Sequence, residues 1–188
     1  MGKVIAGFTI SVDGFINDRS GSAAALYPDL DTLRHTEPLR ESIENTGAVV
    51  MGRNAFAMAE DPDSLVGNYE YQVPIFILTH QVPPRHPKEA GNLTFTFMTG
   101  GIEGAIEQAK AAAGDKDVTV VGGASTAQQC LKAGLVDELH IDVMPVLLGG
   151  GLRPFEDIGL EQIQLERMKG VELPAGRTHL SFRVIRDN

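Results

Sequence analysis

The sequence contains no tryptophan and only one cysteine, Cys130, among its 188 residues. A single cysteine cannot form a disulfide within the chain, and no spacing of cysteine and histidine typical of a zinc site occurs, so we assign no metal. No apolar stretch reaches the ~18–20 residues of a membrane-spanning helix. The N-terminus also lacks the apolar segment of a signal peptide. We therefore expect a cytoplasmic protein that folds in a reducing compartment and does not enter a membrane.

Basic residues are outnumbered by acidic ones. The chain has 16 lysines and arginines against 25 aspartates and glutamates, which gives a formal net charge of −9. Proteins that bind nucleic acid or anionic membranes present a basic face, so this balance argues against both partners. It is compatible with a phosphorylated cofactor, because a few backbone N–H groups and one arginine can bind a phosphate. The composition therefore favours a small-molecule partner.

The length and the apolar content are those of an ordinary globular protein. Hydrophobic residues make up 43% of the chain and charged residues 22%. A chain of this length buries roughly 70% of its unfolded surface, so it needs no disulfide or metal for stability. No linker, repeat or break in composition divides the sequence. We expect residues 1–188 to form a single domain.

Short apolar runs alternate with helical segments along the chain. The predicted strands cover residues 3–10, 47–51, 74–79, 93–98, 118–121, 138–146, 161–171 and 177–185. The predicted helices cover residues 31–45, which Pro38 should break or restart, and residues 55–60, 102–113 and 126–133. This alternation is typical of an α/β protein with a mainly parallel central sheet flanked by helices, and the last two strands add a C-terminal antiparallel hairpin.

Glycines stand at three joints between a strand and the following helix: Gly52-Arg53, Gly100-Gly101 and Gly122-Gly123. In α/β sheets, ligands bind beyond the C-terminal ends of the strands, where helix N-termini present free N–H groups to anions. Glycine lets a phosphate approach the backbone closely, so several such joints indicate a ligand with more than one phosphate. Tight turns alone would also explain the glycines at any one joint. Neither the G-x-G-x-x-G nor the G-x-x-x-x-G-K-[ST] motif is present.

These joints, together with neighbouring segments, resemble the dihydrofolate reductase-like superfamily. The resemblance is carried by Ser11-Val12-Asp13-Gly14-Phe15-Ile16, Met51-Gly52-Arg53, Val121-Gly122-Gly123-Ala124-Ser125, Gly134-Leu135-Val136-Asp137-Glu138-Leu139, Pro145-Val146-Leu147-Leu148-Gly149-Gly150-Gly151 and Phe155. Within the superfamily, the pattern is most similar to the C-terminal reductase domain of the bifunctional riboflavin-biosynthesis deaminase/reductase. The resemblance implies a dihydrofolate reductase-like three-layer fold, NADPH as cofactor and a homodimer.

The resemblance also implies contacts with the cofactor, residue by residue. Arg53 matches a position that faces a cofactor phosphate, and the alternative for this residue is a surface ion pair. The other matching positions are expected to contact three parts of the cofactor: the adenosine ribose with its 2′-phosphate, the nicotinamide and the phosphates. These are Leu78, Thr79 and His80 for the ribose, Thr9 and Ile16 for the nicotinamide, and Gly52, Gly122, Gly123, Ala124, Ser125 and Thr126 for the phosphates. The peptide between Gly122 and Gly123 is expected to be cis, and Ser125 could instead be an ordinary N-cap.

Asp29 is the candidate catalytic residue. It resembles the carboxylate that contacts the pterin ring at the start of the first helix, where it would orient or protonate the substrate. A solvated N-cap is the alternative for this residue. Three features depart from true dihydrofolate reductases: Ala55 stands where those enzymes cap a helix with threonine, Leu139 falls near a threonine that supports pterin binding, and the substrate-loop tryptophan is absent. These departures argue against folate as the substrate.

We therefore predict an NADPH-dependent oxidoreductase that transfers hydride to a small heterocyclic or ribosylaminopyrimidine substrate. The resemblance implies an activity like that of 5-amino-6-(5-phosphoribosylamino)uracil reductase of riboflavin biosynthesis. The single cysteine excludes the P-C-x-x-C zinc signature of the attached deaminase domain. Two alternatives remain open: a dihydrofolate reductase proper, and a nucleotide-binding module without turnover.

Overall fold

The computed structural model describes residues 2–156, 159 and 163–185. Within these residues, the strands are β1 (Val4–Ser11), β2 (Thr46–Gly52), β3 (Ile75–Leu78), β4 (Phe95–Met98), β5 (Asp117–Val121), β6 (Glu138–Met144), β7 (Gln164–Glu172) and β8 (Thr178–Ile185). The helices are α1 (Leu30–Leu33), α2 (Glu37–Asn45), α3 (Arg53–Phe56), α4 (Ile102–Ala113) and α5 (Ala124–Lys132). Short 3-10 turns occur at Ala24–Leu26, Pro62–Leu65 and Pro174–Gly176.

The strands form one sheet in the order β4-β3-β2-β5-β1-β6-β8-β7. All pairings from β4 to β6 are parallel, whereas β8 runs antiparallel to both β6 and β7. The chain order reverses at β1, which has β5 on one side and β6 on the other. Such a reversal opens a crevice beyond the C-terminal ends of the strands, the usual ligand site of an open α/β sheet.

Alternate residues of the central strands belong to two different apolar clusters. Ala48 and Val50 of β2 pack with α4 and α5, whereas Val49 and Met51 belong to a cluster on the opposite face that includes Phe56 of α3. Because successive side chains of a strand point to opposite faces, β2 is buried on both sides. The predicted three-layer α/β fold with a parallel sheet and a C-terminal hairpin is confirmed.

Some predicted boundaries differ from the structure. The predicted helix 31–45 is two helices, and Pro38 lies in the first turn of α2, where its missing N–H has no cost. The predicted helix 55–60 is wrong at both ends, because α3 begins directly at Arg53 and ends at Phe56. Residues 161 and 162 of the predicted strand 161–171 lie outside the described residues. In the described part of the chain, no helix is long and apolar enough to cross a membrane.

Candidate functional site

Two of the three glycine joints lie side by side because β2 and β5 are neighbours in the sheet. The Gly52 N–H donates to the Gly122 carbonyl oxygen at 3.0 Å. A Cβ built on Gly52 would lie 2.5 Å from Oγ1 of the buried Thr126. Gly52 is therefore needed for the close packing of the two joints. The buried Thr126 side chain packs against Gly52, so the two joints are in direct contact.

The Gly122-Gly123 peptide is cis, as the resemblance implied. Gly122 has a φ of +56°, which favours glycine, whereas Gly123 has an ordinary φ of −74°. A Cβ built on Gly123 would meet no atom within 4 Å. Gly123 therefore faces open space, and no side chain caps the first turn of α5 that follows it. The Thr126 N–H donates to the Gly123 carbonyl oxygen at 3.0 Å, whereas the N–H groups of Ala124 and Ser125 remain available to an anion.

Ser125 is not the N-cap of this helix, because Gly123 occupies that position. Ser125 is the second residue of α5 and is exposed, and its hydroxyl accepts a hydrogen bond from Nε2 of Gln129 at 3.2 Å. Ala124, the first residue of the helix, is buried. The N-cap interpretation of Ser125 is therefore wrong, whereas its predicted contact with a phosphate stays a prediction.

Arg53 is the first residue of α3, beside the same open space. Its side chain is exposed and has no hydrogen-bond or ion-pair partner in the described ranges. Ala55 of the same helix approaches the second joint, since a Cβ built on Gly122 would lie 3.6 Å from the Ala55 Cβ. The alternative of a surface ion pair for Arg53 is not realised. A free guanidinium close to an uncapped helix N-terminus is suited to a phosphate.

The residues predicted to lie near the adenosine ribose follow β3. Thr79 is buried, and its hydroxyl donates to the Gln81 carbonyl oxygen at 2.9 Å and so closes the turn after the strand. Its N–H donates to the Met98 carbonyl oxygen at 2.9 Å. Leu78 is half-buried and His80 is exposed. His80 is therefore the residue of this group that solvent and a ligand can reach, while Thr79 shapes the turn.

Two residues predicted to flank the nicotinamide, Thr9 and Ile16, are held by other parts of the chain. The Ile16 N–H donates to the Leu152 carbonyl oxygen at 2.9 Å, and the Thr9 hydroxyl accepts a hydrogen bond from Arg177 at 3.2 Å. Asp13 fixes the loop between them by accepting from the Ser11 hydroxyl and from the Gly149 N–H. The bond from Ser11 contributes most to lowering the pKa of Asp13 to about 2. Asp13 thus positions the loop that ends at Ile16.

Asp29 is buried and paired with Arg177. Nη2 of Arg177 lies 2.7 Å from Oδ1 of Asp29, and Nε lies 3.1 Å from Oδ2. The hydrogen bond from Arg177 lowers the pKa of Asp29, so the carboxylate stays ionised near neutral pH. Asp29 precedes α1 but makes no side-chain capping bond. The alternative of a solvated N-cap is therefore wrong.

Arg177 is fully buried, and every N–H of its guanidinium has an acceptor. In addition to Asp29, Nη2 donates to the Leu26 carbonyl oxygen at 2.8 Å, and Nη1 lies 3.2 Å from the Thr9 hydroxyl and 3.4 Å from Oδ2 of Asp142. No motif in the sequence singles out this residue. One arginine after a turn carries no local signal, and Asp29 lies 148 residues away along the chain.

Two histidines that are far apart in sequence meet on the same face of the sheet. Nδ1 of His179 lies 2.7 Å from Oδ1 of Asp142, and the His179 ring packs edge-on against His140 at 5.4 Å. Nε2 of His140 lies 3.2 Å from Oε2 of Glu138, and burial lowers the pKa of His140. No group of three or more residues that could hold a metal ion occurs among the described residues.

A cavity of about 400 Å³ lies between α2 and this polar face. Its walls include Lys3, Ser42, Glu138, His140, His179 and Ser181. Lys3 and Glu138 stand at the N-terminal ends of β1 and β6, so the cavity is at the end of the sheet opposite the glycine joints. It is therefore separate from the open space at Gly123.

This sheet order and the paired glycine joints are those of a dihydrofolate reductase-like fold. A dihydrofolate reductase from Enterococcus faecalis, solved with NADP(H), superimposes with a TM-score of 0.60 at 14% identity over 97% of this chain and 96% of its own. The chain belongs to the RibD C-terminal domain family, whose sequence model matches residues 2–177.

Two further solved structures are similar to this chain. One is a Shewanella sp. PV-4 protein assigned to riboflavin biosynthesis, with a TM-score of 0.78 and 25% identity, covering 98% of this chain and 99% of that one. The other is the Thermotoga maritima diaminohydroxyphosphoribosylaminopyrimidine deaminase/5-amino-6-(5-phosphoribosylamino)uracil reductase. It has a TM-score of 0.66 and 13% identity, covering 98% of this chain and 57% of that one. The second likeness shows the fold alone.

Proposed function

We propose that this protein is an NADPH-dependent oxidoreductase that reduces a small heterocyclic or ribosylaminopyrimidine substrate of the riboflavin-biosynthesis type. One observation carries the proposal. Open space at Gly123, an uncapped helix N-terminus and an unpaired Arg53 lie together beyond the C-terminal ends of β2 and β5. Membership of the RibD C-terminal domain family supports the reductase class and the substrate class.

The phosphates of NADPH match the hydrogen-bond donors and the positive charge at this end of the sheet. A pyrophosphate at Gly123 would accept hydrogen bonds from the backbone N–H groups of Ala124 and Ser125, at the positive end of the helix dipole. Arg53 would form charge-assisted bonds with a phosphate, and the exposed His80 is placed for the 2′-phosphate. The bound cofactor supplies the hydride, and the protein orients it and excludes water.

The Asp29 and Arg177 pair supports the substrate side of the proposal. It contacts Thr9, which by family resemblance flanks the nicotinamide. Because Arg177 occupies both oxygens of Asp29 and holds it ionised, we assign Asp29 a positioning role that acts through Arg177 and Thr9, and not that of the proton donor. By the same resemblance, we propose that the protein is a cytoplasmic homodimer in which residues 1–188 form one domain.

The direct test is an NADPH oxidation assay with a panel of folates, pteridines and ribosylaminopyrimidines. We expect turnover with a ribosylaminopyrimidine and none with folates. Turnover restricted to dihydrofolate would show a dihydrofolate reductase and contradict the proposed substrate class. Tight NADPH binding without oxidation by any compound would instead favour a nucleotide-binding module.

A further inference from the structure

We infer that Arg177 is a specificity-determining residue. It prevents ligands that carry an amidine-type edge, such as pterins and 2,4-diaminopyrimidines, from binding the Asp29 carboxylate. The inference deepens the proposed function, on which it rests, because it concerns the substrate class of the same site. It depends on the geometry of one buried ion pair and not on the cofactor.

A carboxylate recognises an amidine-type edge through two parallel N–H···O bonds, one to each oxygen. Both oxygens of Asp29 already accept such a pair, Oδ1 from Nη2 and Oδ2 from Nε of Arg177. The guanidinium therefore occupies the place that the ring nitrogen and the amino group of a 2-aminopyrimidine would need. A ligand of this kind can bind Asp29 only after Arg177 leaves.

Arg177 has nowhere to go without losing partners. Its side chain is fully buried, and it also bonds to Leu26 and Thr9. Asp142 cannot take over the whole charge, because its second oxygen is already bonded to His179. Removing a buried guanidinium from its acceptors is strongly unfavourable, since no water replaces them. The ion pair is thus a fixed part of the fold around Asp29.

A face of the guanidinium plane is also covered, by an aromatic ring. The centre of the guanidinium lies 5.5 Å from the centroid of the Tyr27 ring, which packs against it as a cation–π contact. The Asp29 carboxylate is consequently part of a buried, neutralised ion pair with neighbouring hydroxyl groups, and not an isolated negative charge. Such a pair offers nothing to a ligand whose recognition depends on an anionic carboxylate.

The test measures binding of 2,4-diaminopyrimidine and of 6-hydroxymethylpterin by calorimetry, without NADPH. Wild-type protein should bind neither probe more tightly than ~1 mM. Arg177→Ala exposes Asp29 and should bind both at least ~10-fold more tightly. The control is Arg183→Ala on the same strand, which removes only the exposed ion pair with Glu166 and should behave as wild type. The double variant Asp29→Asn/Arg177→Ala should show no gain.

Wild-type binding that Asp29→Asn abolishes would overturn the inference, and so would a folded Arg177→Ala without any gain in affinity. If Arg177→Ala does not fold, wild-type binding that Asp29→Asn abolishes would still overturn the inference. Because no arm requires NADPH or turnover, failure of the reductase proposal would leave these results unchanged. The two proposals therefore fail separately.

Discussion

Gly123→Ala tests the cofactor site without disturbing the fold. The added Cβ would meet no atom of the protein within 4 Å, and the φ of −74° suits alanine. Alanine restricts the unfolded chain, which stabilises a protein by ~0.4–1 kcal/mol, but it is a poorer N-cap than glycine by a similar amount. These effects oppose each other. The free energy of unfolding should therefore change by less than ~1 kcal/mol.

NADPH binding should respond very differently to the same change. If the pyrophosphate lies against Gly123, the methyl group occupies its space and displaces it from the N–H groups of α5. Loss of one or more charge-assisted hydrogen bonds costs ~1.5–3 kcal/mol, which corresponds to a roughly 10- to 100-fold larger dissociation constant for NADPH. Calorimetry suits this titration, because the chain has no tryptophan to report binding by fluorescence.

Two other glycines provide matched controls. A Cβ at Gly104, inside α4, also meets no atom within 4 Å, so Gly104→Ala should stabilise the protein by up to ~1 kcal/mol and leave NADPH binding unchanged. Gly52→Ala places its Cβ 2.5 Å from Thr126 and should lower stability instead. A fully folded Gly123→Ala that binds NADPH as wild type does would refute the assignment of this loop to the cofactor.

Three further outcomes are expected. Arg53→Ala should weaken NADPH binding roughly 10- to 100-fold and NADH binding less, and its free energy of unfolding in urea should stay within ~0.5 kcal/mol of wild type. An unchanged dissociation constant for NADPH would remove Arg53 from the site. Asp29→Asn should depress turnover and lower the free energy of unfolding by ~3 kcal/mol, because Arg177 loses its counter-charge. Calorimetry should show near-normal NADPH binding. Full turnover would exclude the positioning role of Asp29. Because burial lowers the pKa of His140, the unfolded chain takes up a proton first, so unfolding free energy should fall as pH drops from about 7 to 5. His140→Gln should reduce this fall in unfolding free energy. An unaltered dependence of unfolding free energy on pH would contradict the assignment to His140.

Glu138, His179 and Asp142 are the titratable groups that face His140. Burial opposes ionisation of Glu138, but its hydrogen bonds from Lys3 and His140 outweigh burial and lower its pKa, so its contribution is lost only below its ordinary range. His179 and Asp142, which lie on the other side of the ring, are bonded to each other. The loss between pH 7 and 5 is therefore assigned to His140.

Local pattern was sufficient to predict the strands and the glycine joints. Buried strands such as β2 read as continuous apolar runs, and Gly114 ends α4 where the sequence predicts. The start of α3 at Arg53 was missed, because a helix can begin directly after a strand without a capping side chain. Such a boundary is set by packing against the neighbouring joint and not by local propensity.

The buried polar groups could not be predicted in the same way. Arg177 meets Asp29 only because β8 runs beside β6 and brings the turn before it to the sheet end near Thr9. His140 and His179 meet because Asp142 and His179 are paired across these two strands. Register between distant strands decides both contacts, and single residues carry no signal of it.

The most direct measurement of the central claim is an NMR titration of the ¹⁵N-labelled protein with NADPH. If the phosphates bind at the paired glycine joints, the backbone amides of Arg53 and of residues 122–126 should show the largest chemical-shift changes. The amides of Lys3, His140 and Ser181, which line the cavity at the opposite end of the sheet, should stay unchanged. Shifts concentrated at that cavity, or no shifts at the joints, would contradict the account.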